Sequence, residues 1–202
     1  MSHFLKESEL KEFLDSKVKQ YNNPEFIESD PIQVPHQFSL KEDIEIAGFL
    51  TATIAWGNRK MILKNAKKMM ELMGNAPHDF VMHHKEHNLE ALYGFVHRTF
   101  NAEDFKFFIK ALRNVYTKHN GLESVFKKHA TKDSLQPAIH QLKKVFFEIE
   151  HLPRTQKHIG DPLKNSAAKR INMFLRWMTR QDTAGVDFGI WKSIPPSILS
   201  CP

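Results

Sequence analysis

A row of cationic side chains in the C-terminal quarter of the chain has the clearest potential for chemistry. Lys169, Asn172, Arg176 and Arg180 are spaced i, i+3, i+7 and i+11, so they fall on one face of a helix. Arg170 lies beside the first of them. Lysine and arginine heads bind phosphate and carboxylate groups. The row therefore indicates an anion-binding face, and the alternative is the solvated basic face of an ordinary core helix.

The stretch that must position this row is Asp161–Trp191. Asp161 followed by Pro162 forms a favourable N-cap and first-turn pair, and Ser166 offers a second possible cap. A helix should then bury an apolar stripe made of Ile171, Phe174, Leu175 and Met178. Gly185 ends the element, and one carboxylate, Asp187, follows in an apolar segment. The pattern predicts a buried helix with a basic ridge.

The positive charge of the chain is concentrated in this part of the sequence. The whole protein carries a formal net charge of +6. Between residues 153 and 180 a single acid, Asp161, stands among seven basic residues: Arg154, Lys157, Lys164, Lys169, Arg170, Arg176 and Arg180. The remaining residues are neutral overall. A surplus confined to one segment favours a polyanionic partner over diffuse basicity, without saying which polyanion.

Composition predicts an all-α protein. The 202 residues are 41% hydrophobic, with sixteen Phe against eight Gly, and no period-2 strand pattern persists. We expect a single domain over residues 1–202, with two closely packed lobes possible (40–150, and 1–39 plus 151–202). The single cysteine, Cys201, fits a reducing cytoplasm. No apolar run is long enough for a membrane span, and the charged N-terminus is not a signal peptide.

Helical periodicity and turn residues predict the individual elements. The first helix, over about Ser2–Lys19, should bury Phe4, Leu5, Leu10, Phe13, Leu14 and Val18. An ordered proline-rich loop follows over residues 22–38. Ser39–Glu42 reads as a capping box that opens a helix running to Trp56, whose small-residue face allows close approach of another helix. Later helices are expected over Lys60–Met73, Asn101–Lys118, Leu122–His129 and Leu135–His151.

Other motifs offer little chemistry. His83 and His87 are spaced i, i+4 as a metal pair would be, but no third ligand is evident, so a surface histidine cluster is the favoured interpretation. We therefore predict neither a metal nor a cofactor, and infer no obligate protein partner. The triplet His97-Arg98-Thr99 fits a cleft lining and a helix cap equally well. No phosphate-binding glycine loop, zinc cysteine pair or nucleophile elbow is present.

Several long motifs carry a resemblance to a known family. The chain resembles an uncharacterised bacterial family of about 250 residues in the segments DPIQVPHQF, AGFLTATIAWGNRKMI, HRTFN, SAAKRINMFLRWMTR and GVDFGIW. That family in turn resembles the helix–hairpin–helix DNA glycosylases, within them the archaeal 8-oxoguanine glycosylase. The second resemblance is carried by two segments, IAGFLTATIAWGNRKMILKNAKKMMEL and SAAKRINMFLRWM.

This resemblance implies a DNA-repair function. A glycosylase of this type flips a nucleotide out of the duplex and attacks the sugar C1′ with a lysine amine to form a Schiff base. Lys169 matches the position of that lysine. Asn58 and Arg59 match the corner that fills the gap left by the flipped base, and Trp56 would stack there or close the core. The remaining DNA-binding residues on this view are the arginines Arg170, Arg176 and Arg180.

The sequence also departs from the glycosylase pattern. The loop Asn165–Ala168 lacks the glycines whose backbone N–H groups approach a phosphate. The family's essential aspartate would be expected next after Ile198–Pro202, which indicates a C-terminally incomplete fold that binds DNA but turns over poorly. Asp187 is not its obvious match. A non-catalytic nucleic-acid-binding module and a helical interaction protein therefore remain alternatives.

Overall fold

The structure is a computed structural model that describes residues 6–199, and it confirms the prediction of an all-α fold. Ten α-helices are joined by short turns, some of them 3₁₀ turns, and by one small β-hairpin (β1 Val96–His97, β2 Phe100–Asn101). The helices are α1 Glu7–Tyr21, α2 Pro24–Ser29, α3 Lys41–Thr53, α4 Arg59–Leu72, α5 Pro77–His83, α6 Glu86–Glu90, α7 Ala102–Lys118, α8 Gly121–His129, α9 Gln136–Phe146 and α10 Lys169–Thr179.

Helix α3 is the central element of the core. Every residue from Asp43 to Thr53 is buried, as befits a helix that is apolar or small on nearly all sides. Its predicted small-residue face lies against α10: a Cβ on Gly48 would come within 3.2 Å of Met178 and 3.5 Å of Phe174. The buried stripe predicted for α10, Ile171 to Met178, is confirmed. This contact fixes the start of α10 relative to the end of α3.

Helices α7, α8 and α9 pack on one another and extend the same core. Helix α7 begins as predicted, because the Asn101 side chain accepts from the backbone N–H of Asp104 and Asp104 accepts from that of Asn101. Aromatic rings then link the layers: the ring of Phe49 on α3 lies 5.4 Å from Phe146 and 5.5 Å from Phe174. Edge-to-face and tilted contacts of this kind add to the burial energy.

The prediction for the first helix is wrong in its burial. Helix α1 has no buried residue, and the side chains expected in its stripe are exposed: Leu10 by 44%, Phe13 by 53% and Val18 by 56%. The spacing makes one face of α1 apolar, but the fold leaves that face exposed. Phe4 and Leu5, which belong to the same prediction, lie outside the described residues, as does Cys201.

Several predicted boundaries also shift. The Asp161 side chain caps a separate 3₁₀ turn, Pro162–Lys164, and α10 begins only at Lys169. The capping box at Ser39–Glu42 does not form, because Leu40 occupies the N-cap position of α3. Helix α9 ends at Phe146 rather than at His151. Among residues 6–199, no helix combines the length and apolar character that crossing a bilayer requires.

Candidate nucleic-acid interface

The predicted corner between two helices forms at residues 54–58. Helix α3 ends at Thr53, and the Asn58 side chain caps α4 by accepting from the backbone N–H of Met61 at 3.3 Å. Gly57 has a φ of +100°, which side-chain-bearing residues rarely adopt, and a Cβ there would lie 2.9 Å from a guanidinium nitrogen of Arg98. Asn58 and Arg59 are both exposed. The corner therefore presents a polar tip to solvent.

The loop before α10 delivers Lys169 to the surface. Ala168 adopts a left-handed conformation with a φ of +45°, and its N–H donates to the Ser166 hydroxyl at 3.2 Å. Gly160 lies directly beneath this loop, because a Cβ there would stand 2.7 Å from that hydroxyl oxygen. Lys169 is the first residue of α10 and is exposed. Within residues 6–199 its ammonium group has no hydrogen-bond or ion-pair partner.

Arg170 joins these two parts of the site from the inside. Its guanidinium donates to the backbone oxygen of Thr53 and, at 3.2 Å, to that of His158. It also stacks over the Trp56 ring at 4.6 Å. Burial lowers the pKa of this guanidinium. The first turn of α10 is thereby held against the α3–α4 corner, and the Arg170 side chain is occupied within the fold.

Arg176 and Arg180 are tied to a buried carboxylate. Both donate through Nε to Asp187, Arg176 at 3.0 Å, and the Asp187 side chain has no exposed surface. Arg180 also donates to Asn22 at 2.6 Å and to Asp182 at 3.1 Å. The two arginine side chains remain 45% and 32% exposed. They connect α10 to the segment that follows it, and each side chain remains partly open to solvent.

The other predicted residues of the basic face have mixed positions. Arg59 stands 4.0 Å from Asp30 but is 58% exposed. Asn172 is buried, contrary to the prediction that it lies on the ridge; its amide donates to the backbone oxygens of Ala167 and Ala168 at 3.2 and 3.3 Å. Asn172 therefore closes the loop before α10 and offers nothing to a ligand at the surface.

A buried polar cluster beside Trp56 escaped the sequence reasoning. His158 stacks on the Trp56 ring with 6.1 Å between centroids, and its Nε2 lies 3.2 Å from the Asp104 carboxylate. Asp104 also accepts from Thr155 at 2.7 Å and from Arg154 at 2.9 Å. Burial lowers the pKa of His158, although Asp104 opposes this shift. Because these partners are about fifty residues apart along the chain, no local spacing in the sequence could have paired them.

The triplet His97-Arg98-Thr99 forms the tip of the β-hairpin. His97 is buried, with one ring nitrogen 2.8 Å from the Asn65 amide and the other 3.3 Å from the backbone oxygen of Trp56. Arg98 is exposed and has a left-handed φ of +55°. The triplet is not the cap of the next helix, because Asn101 caps α7; His97 anchors the hairpin, and Arg98 lies beside Gly57 at the corner.

The histidine pair proposed as a metal candidate does not assemble with further ligands. His83 is exposed and its Nδ1 lies 2.9 Å from the Asp79 carboxylate. No group of three or more histidine, cysteine or carboxylate ligands occurs in the part of the chain that the structure describes. His83 and His87 are both exposed, as residues of a surface histidine cluster would be.

Comparison with known proteins gives one match, over most of the chain. The model of a family described as "Protein of unknown function (DUF2400)" matches residues 30–202. The chain belongs to this family. The matched region includes the α3–α4 corner, the hairpin and α10, while α1 lies outside it. No curated protein and no solved structure matches the chain.

Proposed function

We propose that this DUF2400 protein binds DNA at the α3–α4 corner and that Lys169 attacks a damaged nucleotide there as a glycosylase or lyase. The supporting observation is the Arg170 contact, which joins the first turn of α10 to Thr53 and Trp56. The polar tip at Asn58 and the exposed ammonium of Lys169 are therefore held on neighbouring surface elements. A wedge next to a nucleophile is the arrangement that base extrusion followed by attack on the sugar requires.

The proposed reaction is the formation of an imine. The neutral Lys169 amine adds to C1′ of the flipped sugar, either displacing a damaged base or adding to the open-chain aldehyde of an abasic site. In the second case the resulting carbinolamine loses water to give a C=N bond to the lysine. Borohydride reduces that bond to a stable secondary amine, so the enzyme remains covalently attached to the DNA.

The cationic side chains have two different roles in this proposal. Arg59, Arg176 and Arg180 each have a partly exposed side chain and would contact phosphates on the rim. Arg170 acts within the fold, because its guanidinium donates to backbone oxygens and stacks on the Trp56 ring. It would position Lys169 and the corner, and its contribution to DNA binding would be indirect.

A non-catalytic nucleic-acid-binding module is the second candidate. What favours it is the state of two carboxylates that lie on either side of α10 in the sequence. Asp161 contacts the ring of His140 at 2.9 Å, and Asp187 is held by two arginines. General acid–base assistance contributes about 10²–10⁴-fold to catalysis of this kind. With both carboxylates engaged, binding without turnover is the expected behaviour of such a module.

Borohydride trapping on a duplex with one abasic site distinguishes the candidates. We expect a covalent adduct with the native chain and none with Lys169→Gln. Lys164→Gln is the matched control, because Lys164 is an exposed lysine of the same loop and its replacement removes the same charge. Equal adduct from Lys169→Gln would overturn the assignment of the nucleophile. DNA binding without any adduct would establish the binding module, and absence of DNA binding would contradict both candidates.

A further inference from the structure

The outer face of α4 carries a row of exposed lysines that the functional predictions did not use. Its members are spaced so that they point away from the core, and we call them the α4 lysine row: Lys60, Lys64, Lys67 and Lys68. One acid, Glu71, shares this face and lies at the far end of the helix. Arg59 adds a further cation beside the Asn58 cap.

These lysines are free of strong intramolecular partners. Lys68 lies 3.6 Å from Glu71, and both side chains are more than half exposed, so the pair is worth little. Lys60, Lys64 and Lys67 make no ion pair within residues 6–199. The arginines of α10, by contrast, donate largely to Asp187 and to backbone oxygens. The surplus of positive charge in the sequence lies in residues 153–180. Even so, α4 presents more positive charge to a partner than that surplus indicated.

The opposite face of α4 limits the kind of partner. Ile62, Ala66, Met69 and Met70 are buried in the core, so α4 has no apolar side left to enter a bilayer. A row of separated point charges on a rigid helix instead fits a surface whose negative charges are regularly spaced. Lys60 and Lys68 stand about 12 Å apart along the axis. A DNA strand places a phosphate about every 3.4 Å of its helix axis, so these lysines can reach separate phosphates.

Arg98 extends this surface across the corner. Its backbone stands in the left-handed region, which costs energy for a residue with a side chain and persists only when its surroundings impose it. Here the flanking His97 is anchored to Asn65 and to the Trp56 oxygen. The guanidinium lies over Gly57, directly beside Asn58. An exposed cation is thus held in a strained position next to the start of the α4 lysine row.

We infer that the α4 lysine row and Arg98 form a second phosphate-binding surface, which holds the backbone of duplex DNA as it runs past the Asn58 corner. This inference rests on the proposed function and adds the flank that the sequence-based assignment lacked. Its role is to bind undamaged duplex on one side of the site. The surface around Lys169 would act on the nucleotide at the corner.

The test measures affinity for a short undamaged duplex as a function of salt, with a matched control. The variant is Lys60→Gln/Lys64→Gln/Lys67→Gln. The control is Lys118→Gln/Lys127→Gln/Lys128→Gln, which removes three exposed lysines from the end of α7 and from α8. We expect the slope of log K against log salt to shrink by about 0.9 per lost contact, or about 2.7 in the α4 variant. The control should keep the native slope.

The strained backbone of Arg98 allows a second, independent test of the phosphate-binding surface. Glycine adopts a left-handed φ without cost, so Arg98→Gly should raise the melting temperature while it reduces the salt slope by about 0.9. A contact that merely supported the fold would move stability and affinity in the same direction. An unchanged salt slope for Arg98→Gly would show that Arg98 does not belong to the phosphate-binding surface.

The remaining outcomes separate this inference from the proposed function. If the α4 variant and its control lose slope equally, the binding is diffuse and the α4 lysine row is not a site. If the α4 variant keeps the native slope while Lys169→Gln still abolishes trapping, the α4 surface fails and the proposed function stands. The α4 variant should also form the borohydride adduct at saturating protein. Loss of the adduct there would assign these lysines to the reacting site and overturn a purely flanking role.

Discussion

The α10 region and the outer face of α4 are both rich in cations, but they use them in opposite ways. In the α10 region Arg154, Arg170, Arg176 and Arg180 bind carboxylates or backbone oxygens and hold distant segments together. On α4 the lysines extend into solvent, and the one ion pair that they form within residues 6–199 joins exposed groups. The first set of charges acts mainly on the fold, and the second is available to a partner.

This difference shows that a surplus of charge in a stretch of sequence does not measure the charge available at the surface. Residues 153–180 contain one acid, yet the fold brings Asp104 and Asp187 onto their arginines from elsewhere in the chain. Arginine is suited to such contacts, because its planar group makes several directed hydrogen bonds and loses hydration more readily than lysine does. The cations left over in that segment are lysines, among them Lys169.

The largest expected effect comes from removing the carboxylate under the α10 arginines. Asp187→Ala should lower the free energy of unfolding by about 3 kcal/mol, because two partly buried guanidinium groups lose their partner. Chemical denaturation measures the change. The control is Asp15→Ala, which breaks the exposed Lys11–Asp15 pair at 3.3 Å and should cost less than about 1 kcal/mol. Similar losses in both variants would show that the α10 arginines are no more structural than a surface pair.

A smaller effect is expected at Glu45, which ties the segment after α10 to α3. The buried carboxylate accepts from the Trp191 indole at 2.6 Å and from the Tyr116 hydroxyl at 2.5 Å. Glu45→Ala should cost about 2 kcal/mol, because both donors lose their partner inside the core. Glu45→Gln keeps an acceptor for the indole and a donor for the hydroxyl oxygen, so it should change stability by less than about 1 kcal/mol.

Glu45 also predicts a dependence on pH. Burial raises the pKa of its carboxyl above the ordinary value of 4.5. A carboxyl whose pKa is raised on folding holds its proton more tightly in the folded chain, so its contribution to stability is present at low pH and is lost as pH rises through the folded pKa. The free energy of unfolding of Glu45→Gln, relative to that of the native chain, should therefore increase as pH rises from the unfolded to the folded pKa of Glu45. A pH-independent difference would contradict the shift.

The smallest effect is expected from the α4 lysine row. Replacing Lys60, Lys64 and Lys67 singly by glutamine should change the free energy of unfolding by less than about 0.5 kcal/mol each, because exposed side chains without partners contribute little. The same denaturation measurement applies. A loss above about 1 kcal/mol would indicate that these lysines support the fold, and the contrast between the two regions would no longer hold.

The sequence predicted local features well and tertiary ones poorly. The start of α7 at Asn101 and the Ile171–Met178 stripe form as expected, because each depends on neighbours within a turn or two. The apolar stripe of α1 was equally regular, yet it stays exposed. At the candidate site, Asn58, Arg59 and Lys169 are exposed. The hydrogen bonds from Arg170 to the backbone oxygens of Thr53 and His158 could not be predicted from helical periodicity.

The sequence by itself determined that this chain is all-α, where its main helices run and that Lys169 stands near the start of one of them. Those properties follow from residue spacing and turn chemistry, which act over a few residues. Only the tertiary structure decided which cationic side chains bind groups within the fold and which remain available to a partner. The donors of an arginine are occupied by whichever carboxylate or carbonyl oxygen the fold brings within about 3 Å of them, and here those partners come from as far away as residues 53, 104 and 187.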